Sequence, residues 1–120
     1  MTNQQINIAI AEHMGWKEIE TFAPESFREP EGIDPDLKLQ RAIPDYCNDL
    51  NAIHKAETSL LGGSKFFSKG ERGSYIWYLK KVCGHGKYVS DEENLYLLIH
   101  IPARQRAEAF LKTVEKWNGQ

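Results

Sequence analysis

A proline-rich segment in the first half of the chain constrains the fold more than any other feature. Pro24, Pro30, Pro35 and Pro44 all fall between residues 23 and 44. Each proline lacks a backbone N–H and has a fixed φ angle, so this density excludes a continuous helix and a central β-strand. We therefore predict a long loop here, with an extended stretch over Leu37–Ile43 as its only regular part.

The segment before these prolines predicts one helix and one strand. Thr2, followed three residues later by Gln5, fits a capping box, and Gly15 supplies a stop. The alternation of Ile6, Ile8 and Ile10 also fits a strand, but the Ala, Gln, Glu and Met residues nearby favour a helix. Residues 16–22 mix aromatic and β-branched side chains, which is typical of a strand.

The segment after the prolines predicts three more helices and one further strand. Residues 45–61 form an amphipathic helix that Gly62 and Gly63 close, and Ser74 caps a helix that ends at Gly84. The β-branched and aromatic residues of this second helix also fit a strand. The apolar run of residues 94–101 is typical of a buried strand. In the last helix Pro102 suits the first position, and a core-facing stripe follows at steps of three and four: Ala103, Ala107, Phe110, Val114 and Trp117.

Composition indicates one globular domain over residues 1–120. The chain is 41% hydrophobic and 27% charged, with a net charge of -2, so no overall basic field attracts nucleic acid or a membrane surface. Cys47 and Cys83 form no CxxC pair, and residues 1–16 lack the pattern of a signal peptide. We expect a cytoplasmic protein without a cofactor, in an α+β fold with three or four helices packed on a small, mostly antiparallel sheet.

Glu57 is the most informative polar residue, because it falls within the apolar stripe of the helix predicted over 45–61. On a helical projection it lies with Tyr46, Leu50, Ile53, Leu60 and Leu61. A buried carboxylate needs a partner. Arg106 borders the apolar stripe of the last helix, so we predict that Glu57 is largely buried and paired with Arg106.

The same helix offers three further candidates for binding or chemistry. His54 and Glu57 are spaced as H-x-x-E and share a face, as two metal ligands on one helix do, but the repeated motif and extra acids of a di-metal bundle are missing. Asp49 lies on the other side of the apolar stripe from His54. Cys47 falls in the predicted first turn, where the helix dipole favours a thiolate, although a small buried hydrophobe is the more common role.

A basic, glycine-rich loop over residues 62–73 is the candidate for anion binding. It combines Lys65, Lys69 and Arg72 with Phe66 and Phe67, a mixture that can bind a nucleotide or single-stranded nucleic acid. Arg104 at the start of the last helix is a further anion candidate. An i,i+4 surface pair with Glu108 is the alternative for Arg104.

Two stretches of the chain resemble a known family. Residues 43–60, IPDYCNDLNAIHKAETSL, and residues 100–117, HIPARQRAEAFLKTVEKW, resemble the phage ABA sandwich domain family, as does the helix–glycine–Trp opening IAEHMGW. The resemblance touches about half of the chain, which departs from the family in its basic loop and around Ile43–Pro44. It implies a layered α-β-α fold and a phage or prophage origin, and it brings no known catalytic residues.

These observations lead to one expected function and two alternatives. We expect a non-enzymatic phage accessory protein that binds a host or phage protein, with no membrane association and an oligomeric state that the sequence leaves open. The first alternative is a nucleotide or nucleic-acid binder that uses the 62–73 loop. The second is a small metal-dependent hydrolase that uses His54 and Glu57.

Overall fold

The computed structural model describes residues 1–61, 65–66, 73–82 and 99–118. These residues form an α+β fold with four α-helices and a three-stranded antiparallel sheet. The helices are α1 (Asn3–His13), α2 (Leu50–Glu57), α3 (Tyr75–Val82) and α4 (Ala103–Thr113), and the strands are β1 (Lys17–Glu20), β2 (Glu31–Ile33) and β3 (Gln40–Ala42). The predicted fold class is confirmed.

Helix α1 begins and ends as its sequence predicts. Thr2 and Gln5 form a complete capping box, in which each side chain accepts a hydrogen bond from the other residue's backbone N–H. At the other end the Gly15 N–H donates to Glu12 and the Trp16 N–H donates to Ala11, with Gly15 at a φ of +100°. This is a Schellman motif, and glycine favours its left-handed residue because it has no Cβ.

The sheet contradicts one prediction, because its central strand lies inside the proline-rich segment. Strand β2 is hydrogen-bonded on both sides, in the order β1-β2-β3. It spans only three residues between Pro30 and Pro35, so neither proline occupies a position that must donate to the ladder. A Cβ on Gly32 would lie 2.9 Å from Ile19 Cγ1, so the close approach of β1 requires a glycine in this strand.

Helix α2 is shorter than predicted, since it begins at Leu50 rather than near residue 45. Residues 45–49 form turns, and a short 3-10 turn over Thr58–Leu60 follows the helix. Tyr46 and Cys47 are buried but lie outside the helix, whereas Leu50 and Leu61 are 47% and 57% exposed. The predicted apolar stripe was therefore wrong at both ends and correct around Ile53, Glu57 and Leu60.

Helix α4 organises the core of the described structure, because it contacts α1, α2 and α3. The predicted stripe residues Ala103, Ala107, Phe110 and Val114 are all buried. Pro102 is the N-cap and not the first helical residue, and Trp117 follows the end of the helix and is half-buried. The predicted strand over 94–101 lies outside the described residues except at its last three positions.

Candidate functional site

The candidate site is built around Glu57, at the C-terminal end of α2. Ile53, Ala56 and Glu57 form the buried face of this helix, and Glu57 is only 9% exposed. An ionised carboxylate at that depth is stable only when cations or hydrogen-bond donors replace its water. The surrounding residues supply both kinds of group.

Arg106 on α4 is the principal partner of Glu57, as predicted. Its Nη1 lies 3.3 Å from Glu57 Oε2, and both side chains are nearly inaccessible. The other two guanidinium nitrogens also donate: Nε to the Ile101 carbonyl at 2.9 Å and Nη2 to the Ile99 carbonyl at 3.4 Å. Arginine suits this position because its planar fork serves several acceptors at once and stays charged.

His54 occupies the second oxygen of Glu57. Its Nδ1 lies 2.9 Å from Glu57 Oε1, and the imidazole is about half exposed. The i,i+3 spacing brings the two side chains together on the rim of α2. His54 therefore connects the buried carboxylate to the surface.

Tyr75, the first residue of α3, completes the buried cluster. Its side chain is fully buried, and burial raises the pKa of the phenol, to which the nearby charge of Glu57 adds while Arg106 opposes it. The hydroxyl lies close to both charged groups but forms no hydrogen bond with the described residues. Tyr75 was not among the predicted site residues, because nothing local in the sequence relates it to Glu57.

The cluster joins three helices, and its geometry is that of a structural ion pair. Each Glu57 oxygen already has a partner, and the cation that neutralises it is buried beside it. Across the described ranges, no group of three or more His, Cys, Asp or Glu side chains is arranged to hold a metal ion. His54 and Glu57 therefore face each other and not a common ligand position.

The other predicted site residues are separate from this cluster. Asp49 is the N-cap of α2 and accepts a hydrogen bond from the Asn51 N–H at 2.9 Å. Arg104 pairs with Glu108 at 3.4 Å and also donates to Asn3 Oδ1 at 2.9 Å, so it ties α4 to α1. Lys65 is exposed in a turn, and Lys69 and Arg72 lie outside the described residues.

Cys47 does not have the environment of a reactive thiol. It precedes α2 and is not in its first turn, so the predicted contribution of the helix dipole is absent. Burial raises the pKa of the Cys47 thiol to about 11, an increase that Arg104 partly offsets and Asp45 reinforces. Its Sγ lies 3.7 Å from the Asn3 carbonyl, which is consistent with a thiol that packs between elements.

Sequence analysis missed the ordered turn between β2 and β3. Asp34 Oδ1 accepts hydrogen bonds from the backbone N–H groups of Asp36 and Leu37, at 2.7 and 3.3 Å, and Oδ2 pairs with Arg41 at 3.4 Å. Burial alone would raise the pKa of Asp34, but these hydrogen bonds and Arg41 lower it overall. The Asp-Pro dipeptide is a turn signal that could have identified this side chain.

Comparisons with known proteins add no relative. No family model, curated protein or solved structure matches the chain. Within the described part of the chain, no helix combines the length and hydrophobicity that a membrane span requires.

Proposed function

We propose that the chain is a phage accessory protein that acts by binding a host or phage protein, and that the two loops flanking β2 form its binding surface. The observation that carries this proposal is the exposure of three large apolar side chains on those loops. Phe27 is 93% exposed in the first loop, and Leu37 and Leu39 are 54% and 53% exposed in the second. Apolar side chains held in water at this level are typical of contact surfaces when they cluster.

Local contacts order the backbone of both loops. In the first loop Ser26 Oγ donates to the Ala23 carbonyl at 2.7 Å, and the guanidinium carbon of Arg28 lies 3.7 Å from the centre of the Phe22 ring. In the second loop Asp34 fixes the turn through its two backbone contacts. A surface that is ordered before binding loses less conformational entropy when a partner arrives.

Backbone strain in both loops supports the same reading. Phe27 has a φ of +55° and Lys38 a φ of +60°, in the left-handed region that disfavours side chains with a Cβ. Such conformations are typical of residues whose positions serve function more than stability. The two loops lie at opposite ends of β2, which spans three residues, or roughly 10 Å at the usual rise, so a partner that contacts both must lie along the sheet.

The ionisable residues support a binding protein over an enzyme. Glu57 and Arg106 form a contact that holds α2 against α4, and Asp49 caps α2. The phage origin rests on the sequence resemblance alone.

Affinity capture from infected host cells tests the proposal. The tagged wild-type protein is compared with Phe27→Asn and with the double variant Leu37→Asn/Leu39→Asn. Asparagine removes the apolar surface in each case, and at Phe27 it also tolerates the positive φ. Leu61→Asn is the matched control, because Leu61 is equally exposed but lies at the end of the 3-10 turn after α2. We expect one phage or host protein to be captured by the wild type and the control.

The captured protein is then purified, and its affinity for each variant is measured by calorimetry. The loop variants should bind at least tenfold more weakly than the wild type, since each removes a large apolar contact. Equal affinity for all variants would refute the loop surface, and a protein that captures nothing specific would refute the binding function.

A further inference from the structure

A second surface of the molecule has a different chemistry. A cleft of about 750 Å³ lies between α1 and the segment that follows α4. Its lining combines the apolar side chains of Ile8 and Ala9 with the polar side chains of Glu12, His13 and Lys116. This volume lies within the range of sites for small organic molecules.

His13 is fixed at one end of this cleft. It stands in the last turn of α1, and its ring packs edge-on against Phe110 of α4 with 5.6 Å between the centroids. Burial lowers the pKa of His13, and the charges of Lys116 and Lys65 lower it further. The imidazole is therefore largely neutral at pH 7 and is faced by two ammonium groups and by one carboxylate, that of the adjacent Glu12.

Lys116 reaches the cleft because of how α4 ends. The Lys116 N–H donates to the Leu111 carbonyl at 2.8 Å, and Glu115 adopts a φ of +61°, so the chain reverses in a Schellman turn. Elsewhere on α4 the cations are paired, since Arg104 and Lys112 both contact Glu108. Within the described residues neither Lys116 nor Lys65 forms an ion pair, although the Glu12 carboxylate lines the same cleft.

We propose that this cleft binds a small phosphate-bearing molecule, with His13 and Lys116 as donors to the phosphate and with Ile8 and Ala9 against the rest of the ligand. Lysine serves phosphate as a point charge. Lys65 does not line the cleft, but its charge acts on His13 and adds to the positive field there. Glu12 is left to accept a hydrogen bond from a hydroxyl or amino group of the ligand. This site is separate from the loops flanking β2 and does not depend on the proposed protein-binding function.

NMR titration of the histidine rings tests the proposal on the intact chain. The pH titration of His13 is recorded alone, with inorganic phosphate and with AMP, and His54 on α2 is the internal control. We expect each phosphate compound at millimolar concentration to raise the pKa of His13 and to shift its ring resonances, while His54 is unchanged. Adenosine without a phosphate should leave the pKa of His13 where it was.

Two variants that each remove one charge identify the residues involved. Lys116→Gln should weaken phosphate binding about tenfold, because it removes one charge-assisted hydrogen bond. Glu12→Gln should strengthen it, because a like charge leaves the cleft. Both residues are exposed, so the variants should fold, and the amide spectrum verifies this.

Either of two results would overturn the site. One is a His13 titration that neither phosphate nor AMP alters. The other is an equal response in the wild type and Lys116→Gln, which would show that the ions act by general screening. A higher affinity for AMP than for inorganic phosphate would support a ligand whose organic part contacts Ile8 and Ala9. Equal affinities would support a site that recognises the phosphate alone.

Discussion

Glu57 shows how one buried residue depends on partners from elsewhere in the sequence. Its carboxylate is stable in the interior because Arg106 and His54 each engage one oxygen. Removing one member of a buried pair strands the other charge in a poorly solvated position, whereas removing both charges does not. The interaction energy between Glu57 and Arg106 can therefore be measured only by comparing single and double variants.

We predict that Glu57→Ala and Arg106→Met each lower the free energy of unfolding by about 3–5 kcal/mol. The double variant should lose clearly less than the sum, because neither charge is then left alone. Urea unfolding followed by circular dichroism measures all four proteins. Lys55→Gln is the control: Lys55 pairs with Asp36 at 3.1 Å, but both side chains are mostly exposed, so its loss should fall below about 1 kcal/mol. Additive losses would contradict the coupling of Glu57 to Arg106.

At the scale of the element, α2 depends on the residue before its first turn. Asp49 has an extended backbone and accepts the Asn51 N–H, so it supplies an acceptor that the helix end lacks. Sequence analysis named Asp49 as a binding candidate on the assumption that the helix had already begun. Its observed contact is a cap.

We therefore expect Asp49→Ala to lower the free energy of unfolding by about 1 kcal/mol, because the N-cap hydrogen bond is lost. Asp49→Asn keeps an acceptor oxygen and should retain most of the stability. Thermal unfolding monitored by circular dichroism distinguishes the two. A loss in Asp49→Asn as large as in Asp49→Ala would show that the charge of Asp49, and not its capping contact, is what α2 requires.

Local sequence signals predicted elements where they were strong. The capping box of α1, the glycine at its end and the stripe of α4 all depend on neighbours in sequence, so they could be identified directly. Strand β2 was missed because proline density was applied to a whole segment, while three residues between two prolines suffice for a strand. The start of α2 was misplaced because Tyr46 and Cys47 are buried without being helical.

The same distinction applies to the candidate site. The Glu57–Arg106 contact was predictable, since Glu57 lies within one apolar stripe and Arg106 borders another, and the sequence defines the helical phase of both. Tyr75 and the Lys116 side of the cleft were not, because they reach their neighbours through packing between elements distant in sequence. Their polar groups resemble ordinary surface or core residues until the helices are placed.

For the molecule as a whole, burial of protonated groups determines the response to high pH. Burial raises the pKa of Tyr46 to about 12, with a further contribution from Asp34, and raises that of Cys47 to about 11. Tyr75 shifts in the same direction. The folded state thus holds these protons more tightly than the unfolded chain, whose ordinary values are 10.0 for tyrosine and 9.0 for cysteine.

We predict that the contribution of these groups to the free energy of unfolding is fully present below about pH 9 and is lost between about pH 9 and 12. The reason is that the unfolded state releases their protons at lower pH and is then favoured. Urea unfolding at successive pH values measures this loss. Tyr46→Phe and Cys47→Ala each remove one titrating group, so each should make the decline shallower over its own part of the range. Tyrosinate absorbance should rise together with unfolding. Ionisation of Tyr46 and Tyr75 near pH 10 in a protein that stays folded would show that these rings are open to solvent, and it would contradict the packing of α3 and of the 45–49 turns against the core.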